Sequence, residues 1–142
     1  MRNNNPLNIR NGMSRWRGMR SVQTDPAFVQ FESIEMGYRA AFVLLDTYRT
    51  RYQLRTLRQI IFRWAPPHEN NSYTYLLHVC LWSGITNPDH VVEDGELPAI
   101  VAAMHRQENG CMPDMKQILH GWELYKSEKE LEAAAQRSVS KL

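Results

Sequence analysis

Glu108 sits at the end of an apolar helical pattern and is followed by Asn109 and Gly110, a sequence that stops a helix where a left-handed backbone is favoured. The helix can rest on the core while its last turn delivers a carboxyl group into a cleft. Partial removal from water and the negative end of the helix both favour the protonated acid there. Such a group can protonate a glycosidic oxygen. The plainer reading, an exposed residue at a glycine-terminated helix, stays open beside it.

Three other segments carry recognition chemistry. The run from Asn3 to Arg10 concentrates amide groups around one rigid proline, and Asn4, Asn5, Asn8 and Arg10 can hydrogen-bond sugar hydroxyls and acetamido groups. An ordinary turn held by Asx side chains would use the same residues. Trp16, beside Gly18, offers an indole platform for a sugar face, with Arg15 and Arg17 placed to meet carboxylates, although it serves equally well as a cap on the core. Arg63 to Asn71 is a compact loop with His68, Glu69 and Asn70 in succession. Adjacent side chains do not necessarily converge, so a structural loop competes with a binding one.

Other chemistries lack their patterns. His68, His78, His90, His105 and His120 form no His-Glu-x-x-His helix or similar ligand spacing, and no glycine-rich phosphate loop occurs, so neither a catalytic metal nor a cofactor is expected. Cys80 and Cys111 make no disulfide framework. Cys80 reads as a core residue, while a nucleophilic pairing of Cys111 with His105 or His120 remains a minor alternative.

The positioning elements follow from periodicity. Residues 3–30 lack a helical period and read as loops and short strands, with Phe28 to Phe31 alternating as a half-buried strand paired to residues 16–22. Five helices follow. Ser33 caps the first, which ends near Tyr52. Thr56 caps the second, which Pro66-Pro67 stops, and Asn71 or Ser72 caps the third, which Gly84 ends. The fourth runs from Glu96 to Gln107 and the fifth begins at Pro113. The expected architecture is a mainly α, lysozyme-like α+β domain over residues 1–125, with residues 126–142 as a charged tail, helical or frayed.

A chain of 142 residues, 43% hydrophobic and 23% charged, suits one globular unit. A net charge of +2 is compatible with an anionic polymer but falls short of a duplex-DNA-binding face. Arg49, Arg51, Arg55, Arg58 and Arg63 would serve a nucleic-acid reading, yet a solvated cationic face explains them more simply. Arg2 to Asn5 stand where a secretory signal would need apolar residues, and no run approaches the roughly 20 apolar residues of a membrane span. Synthesis in the cytoplasm is expected, with any delivery to a virion or cell wall by a non-Sec route.

Several blocks in fixed order resemble a family of short phage and prophage proteins described as virion structural proteins. They are Arg2 to Arg10, Trp16-Arg17-Gly18, Phe28 to Phe31, Gly37-Tyr38-Arg39-Ala40, Arg63 to Asn71 and Glu108-Asn109-Gly110, and the resemblance spans Arg2 to Trp122. The amino-terminal part is also similar to lysozyme-like glucosaminidases and transglycosylases, whose glycan cleft uses an N-x-x-x-I segment, a Trp-x-Gly turn, a Phe-containing strand and a following helix. Asn5 to Ile9, Trp16 to Gly18, Phe28 to Phe31 and Ile34 to Tyr52 match these in order. In those enzymes the acid glutamate ends a helix just before the N-x-x-x-I segment. Here Glu108 follows that segment by about a hundred residues, an order that a circular permutation would reconcile.

The resemblance implies cleavage of peptidoglycan glycan strands by a muramidase, glucosaminidase or lytic transglycosylase. Glu108 would be the general acid, the asparagine loop and Trp16 the saccharide ligands, and Glu32 or Glu35 the nearest second carboxylate. The alternative it implies is a non-catalytic virion protein that binds glycan or other virion proteins.

Overall fold

The computed structural model describes residues 2–140. Five α-helices dominate: α1 Ile34–Thr50, α2 Leu57–Trp64, α3 Ser72–Ser83, α4 Leu97–Asn109 and α5 Met115–Ser140, with 3-10 turns at Arg2–Asn4 and Asp94–Glu96. The caps explain most of the boundaries. Ser33 accepts from the Met36 amide, Thr56 forms a reciprocal capping box with Gln59, and Asn71 accepts from Thr74. Gly84 and Gly110 close α3 and α4 at φ 82° and 70°, in the left-handed region that glycine enters without steric cost.

The expected strand is extended but has no regular ladder. Among the described residues the pairing is limited to isolated antiparallel bridges, Arg10 with Phe28, Met19 with Phe31, and Thr56 with Val91. Segment 28–31 does lie beside residues 19 and 20, since the Arg20 amide donates to the Gln30 carbonyl at 2.8 Å. Side-chain amides take the place of continued pairing. Asn5 donates to the Ile9 and Val29 carbonyls at 2.9 Å each, Gln23 donates to Gln30 at 2.8 Å, and Asn4 donates to Phe31 at 3.2 Å. Backbone groups satisfied in this way need no neighbouring strand.

Two apolar clusters result. The larger lies among the helices around Tyr38, Phe42, Leu45, Ile60, Ile100 and Met104. The smaller, Ile9, Val29, Phe31 and Ala40, anchors the amino-terminal loop against α1, with Trp16 and Trp64 packed at its edge. Gly37 permits that docking, because a Cβ there would stand 2.2 Å from the Asn4 carbonyl oxygen and 2.7 Å from Pro6 Cδ. Helix α5 is continuous across residues 125 and 126 to Ser140. Glu128 and Lys129 bind Arg39 and Asp46 of α1, whereas residues 131–139 are all exposed. No helix among the described residues is long and apolar enough to cross a membrane.

Candidate functional site

Helix α4 carries Glu108 in its last turn, and the chain brings two donors to it from distant segments. Asn8 Nδ2 donates to Oε1 at 2.8 Å from the amino-terminal loop, and the Tyr75 hydroxyl donates to Oε2 at 2.8 Å from α3. Next along the chain, Asn109 Nδ2 donates to the Pro6 carbonyl at 2.7 Å and to the His105 carbonyl at 3.0 Å, tying the helix end to the asparagine loop. Asn8 adopts φ 55°, a conformation asparagine tolerates better than most residues. Burial, followed by the negative charge and hydrogen bond of Glu108, pushes the Tyr75 phenol well above its ordinary range. Tyr75 therefore remains a proton donor to the carboxylate.

Glu108 faces a recess of about 140 Å³ whose wall also contains Asn8, Arg10, Phe28, Trp64, Glu69 and Asn70. Asn8, Arg10, Trp64 and Glu69 also line a neighbouring groove of about 330 Å³, together with Trp16, Tyr48 and Arg63. With these four wall residues in common the two spaces adjoin, the Glu108 carboxyl on the recess and the rings of Trp16 and Tyr48 on the groove. Tyr48 meets Trp64 edge-on with ring centroids 6.2 Å apart. The Arg63 guanidinium lies over Tyr52 and Tyr48, 5.2 and 5.9 Å from the ring centroids, and Arg10 lies 5.7 Å over Phe28.

Six of the residues singled out by sequence, Asn8, Arg10, Trp16, Glu69, Asn70 and Glu108, line one or both of these spaces. Asn4 and Asn5 line neither. Asn5 is 2% exposed with its side chain committed to the backbone of Ile9 and Val29, and Asn4 bonds Phe31. His68 points to solvent, its Nε2 3.8 Å from Glu69 Oε1. Glu32 and Glu35, expected as the nearest second carboxylates, line neither space, and the carboxylate that shares the recess with Glu108 is Glu69.

Tyr75 and Tyr48 belong to the site but are not among the residues that the sequence patterns above single out. The available signal for Tyr75 was chemical: a tyrosine on a buried stripe needs a partner for its hydroxyl. A similar pairing occurs deeper in the core, where the Tyr38 hydroxyl and His105 Nδ1 are 2.7 Å apart. Cys111 Sγ lies 3.9 Å from His105 Nε2, while His120 is exposed on α5.

No profile of a described protein family matches the chain. Over 116 residues it is 38% identical to Protein P5 of Pseudoalteromonas phage PM2, an alignment that covers 80% of this chain and 72% of that protein.

Proposed function

Because the chain belongs to the family of Protein P5 of Pseudoalteromonas phage PM2 and its role is accordingly phage-associated, we propose that it cleaves peptidoglycan glycan strands with Glu108 as general acid. The observation that carries this reading is the bond between Asn8 and Glu108, a hundred positions apart. In the glucosaminidases and transglycosylases that the amino-terminal part resembles, the acid helix ends just before the N-x-x-x-I segment. Here Glu108-Asn109-Gly110 meets Asn5 to Ile9 through Asn8 and Pro6, the arrangement expected of a circularly permuted lysozyme-like fold.

In this reading the glycan lies along the groove. Trp16 and Trp64 supply ring faces, and Asn8, Arg10 and Asn70 supply hydrogen bonds. Protonation of the bridging oxygen by Glu108 lets its bond to the anomeric carbon break without expelling an alkoxide. Tyr75 and Asn8 fix the carboxyl orientation, so the group is positioned before substrate arrives. Virion association fits a protein that opens the wall during infection.

Purified peptidoglycan treated with the wild-type protein and with Glu108→Gln tests the assignment. Mass spectrometry should find released muropeptides from the wild type and a roughly 10²–10⁴-fold slower release from the variant, the usual contribution of a positioned acid. Glutamine keeps the shape, its carbonyl oxygen accepting from Asn8 and its amide donating to the Tyr75 oxygen, so circular dichroism and glycan binding should be retained. No release by folded wild type from several wall types would overturn the reading.

A second reading is a non-catalytic virion protein that binds glycan or other virion proteins. It is favoured by the exposed stripe of Tyr73, Leu77 and Leu81 on α3 and by the solvent-exposed end of α5. Apolar residues four positions apart on one helical face are a means of attaching to a neighbour.

A further inference from the structure

Resting on the glycan-cleaving reading, we propose that Glu69 is the second catalytic carboxylate of the site, the base that activates water, so that the reaction is hydrolysis. Glu69 and Glu108 are the carboxylates on the wall of the recess, and Glu69 alone of the two also reaches the groove along which the glycan would lie. It therefore borders both spaces.

The loop that carries Glu69 is held at both ends and within. The amides of Glu69 and Asn70 donate to the Pro66 carbonyl at 3.0 Å each, Asn71 caps α3 through the Thr74 amide, and the Ser72 hydroxyl donates to the Ala65 carbonyl. Pro66 and Pro67 restrict the chain entering it. Among the described residues no arginine or lysine lies within ion-pair distance of the carboxylate, and the neighbouring His68 nitrogen is 3.8 Å away. With 47% of its side chain exposed, Glu69 can reach a water in a recess polar enough to hold one.

The two carboxyls take opposite tasks. Glu108, at the negative end of α4, delivers its proton to the bridging oxygen as the bond from that oxygen to the anomeric carbon breaks. Glu69 takes a proton from water while the water oxygen bonds to the same carbon. The leaving sugar departs with a hydroxyl, the other sugar gains one, Glu108 ends as carboxylate and Glu69 as acid. Exchange with solvent resets both. Water as acceptor gives reducing ends, whereas a single-carboxyl transglycosylase gives anhydro ends.

Glu69→Gln, Glu69→Ala and Glu108→Gln, assayed beside wild type on purified peptidoglycan, test the inference. Mass spectrometry should show reducing ends from wild type, and each glutamine variant should lose at least a hundredfold in rate. Sodium azide should restore cleavage by Glu69→Ala and yield a glycosyl azide of inverted configuration, an outcome a merely structural loop residue would not produce. Anhydro ends from wild type would overturn the role of Glu69 while leaving Glu108 as the acid, and so would a Glu69→Gln rate within threefold of wild type when Glu108→Gln is inactive. Absence of turnover in folded wild type would overturn the glycan-cleaving reading, and the role of Glu69 with it.

Discussion

The Tyr75 hydroxyl is the polar end of a ring otherwise enclosed by core side chains, and it spends its proton on Glu108 Oε2. Removing that oxygen leaves the packing intact, so Tyr75→Phe isolates the bond. The expected cost is about 1–2 kcal/mol by chemical denaturation, the low end for a hydrogen bond to a charged group because Glu108 retains access to water. Glycan release should fall roughly tenfold as the carboxyl loses its orientation, the two measurements being made on the same preparation. An unchanged release rate would mean that Asn8 alone positions the acid. Glu108 and Asn8 were legible in the sequence because a helix end before Asn-Gly and an asparagine-rich loop are local signals. Tyr75 was not, because its ring obeys the apolar stripe of α3 while its hydroxyl answers to a residue 33 positions away. Asn4 and Asn5 show the converse. Their amides suit sugar recognition, but a loop without regular strand pairing needs those same donors for its own carbonyls.

Helix α1 is the element on which the site is assembled, since the amino-terminal loop docks on its first turn and α5 packs along it. Both contacts exploit missing side chains: a Cβ on Gly37 would collide with the Asn4 carbonyl oxygen, and one on Gly121 would stand 2.7 Å from Tyr38 Cβ and 2.9 Å from the Glu35 carbonyl oxygen. Alanine is the better helix former by roughly 1 kcal/mol, but the 2.2 Å approach at Gly37 is to backbone that cannot rotate away. Gly37→Ala should therefore lower stability by about 1–3 kcal/mol in denaturant titration and displace Asn8 enough to reduce glycan release. Gly95→Ala, where nothing lies within 4 Å, is the control and should leave activity unchanged. Helix existence and boundaries were readable from Ser33, Thr56, Asn71, Gly84 and Gly110 because caps act within one turn. The strand at residues 28–31 was over-read for a physical reason. Alternation reports which side chains turn inward, as Val29 and Phe31 do, but not what satisfies the backbone between them.

Across the whole molecule, buried and paired ionisable groups lead to a common pH dependence. His105 is 3% exposed between Tyr38 and Cys111, and burial holds its imidazole below the ordinary 6.5. Glu128 is raised by its own burial, but the Arg39 guanidinium on both its oxygens, with Arg17 beside it, brings it below the ordinary 4.5. Both groups bind protons more weakly folded than unfolded, so stability falls as pH falls. The His105 contribution is complete above about 6.5 and is lost as pH drops toward its depressed folded value, while that of Glu128 is lost below about 4.5. Thermal melting followed by circular dichroism should therefore show Tm declining between pH 7 and pH 5, and more steeply at lower pH. His105→Gln, uncharged throughout, should melt lower at pH 7 for want of packing yet show little slope between pH 7 and 5. Glu128→Gln should keep the upper slope and flatten the lower one. Because Glu128 fastens α5 to α1 rather than lining the groove, that second variant should also retain glycan release at neutral pH, separating what holds the helices together from what acts on the glycan. A Tm independent of pH between 7 and 5 in the wild type would mean that His105 gains a proton without loss of the fold.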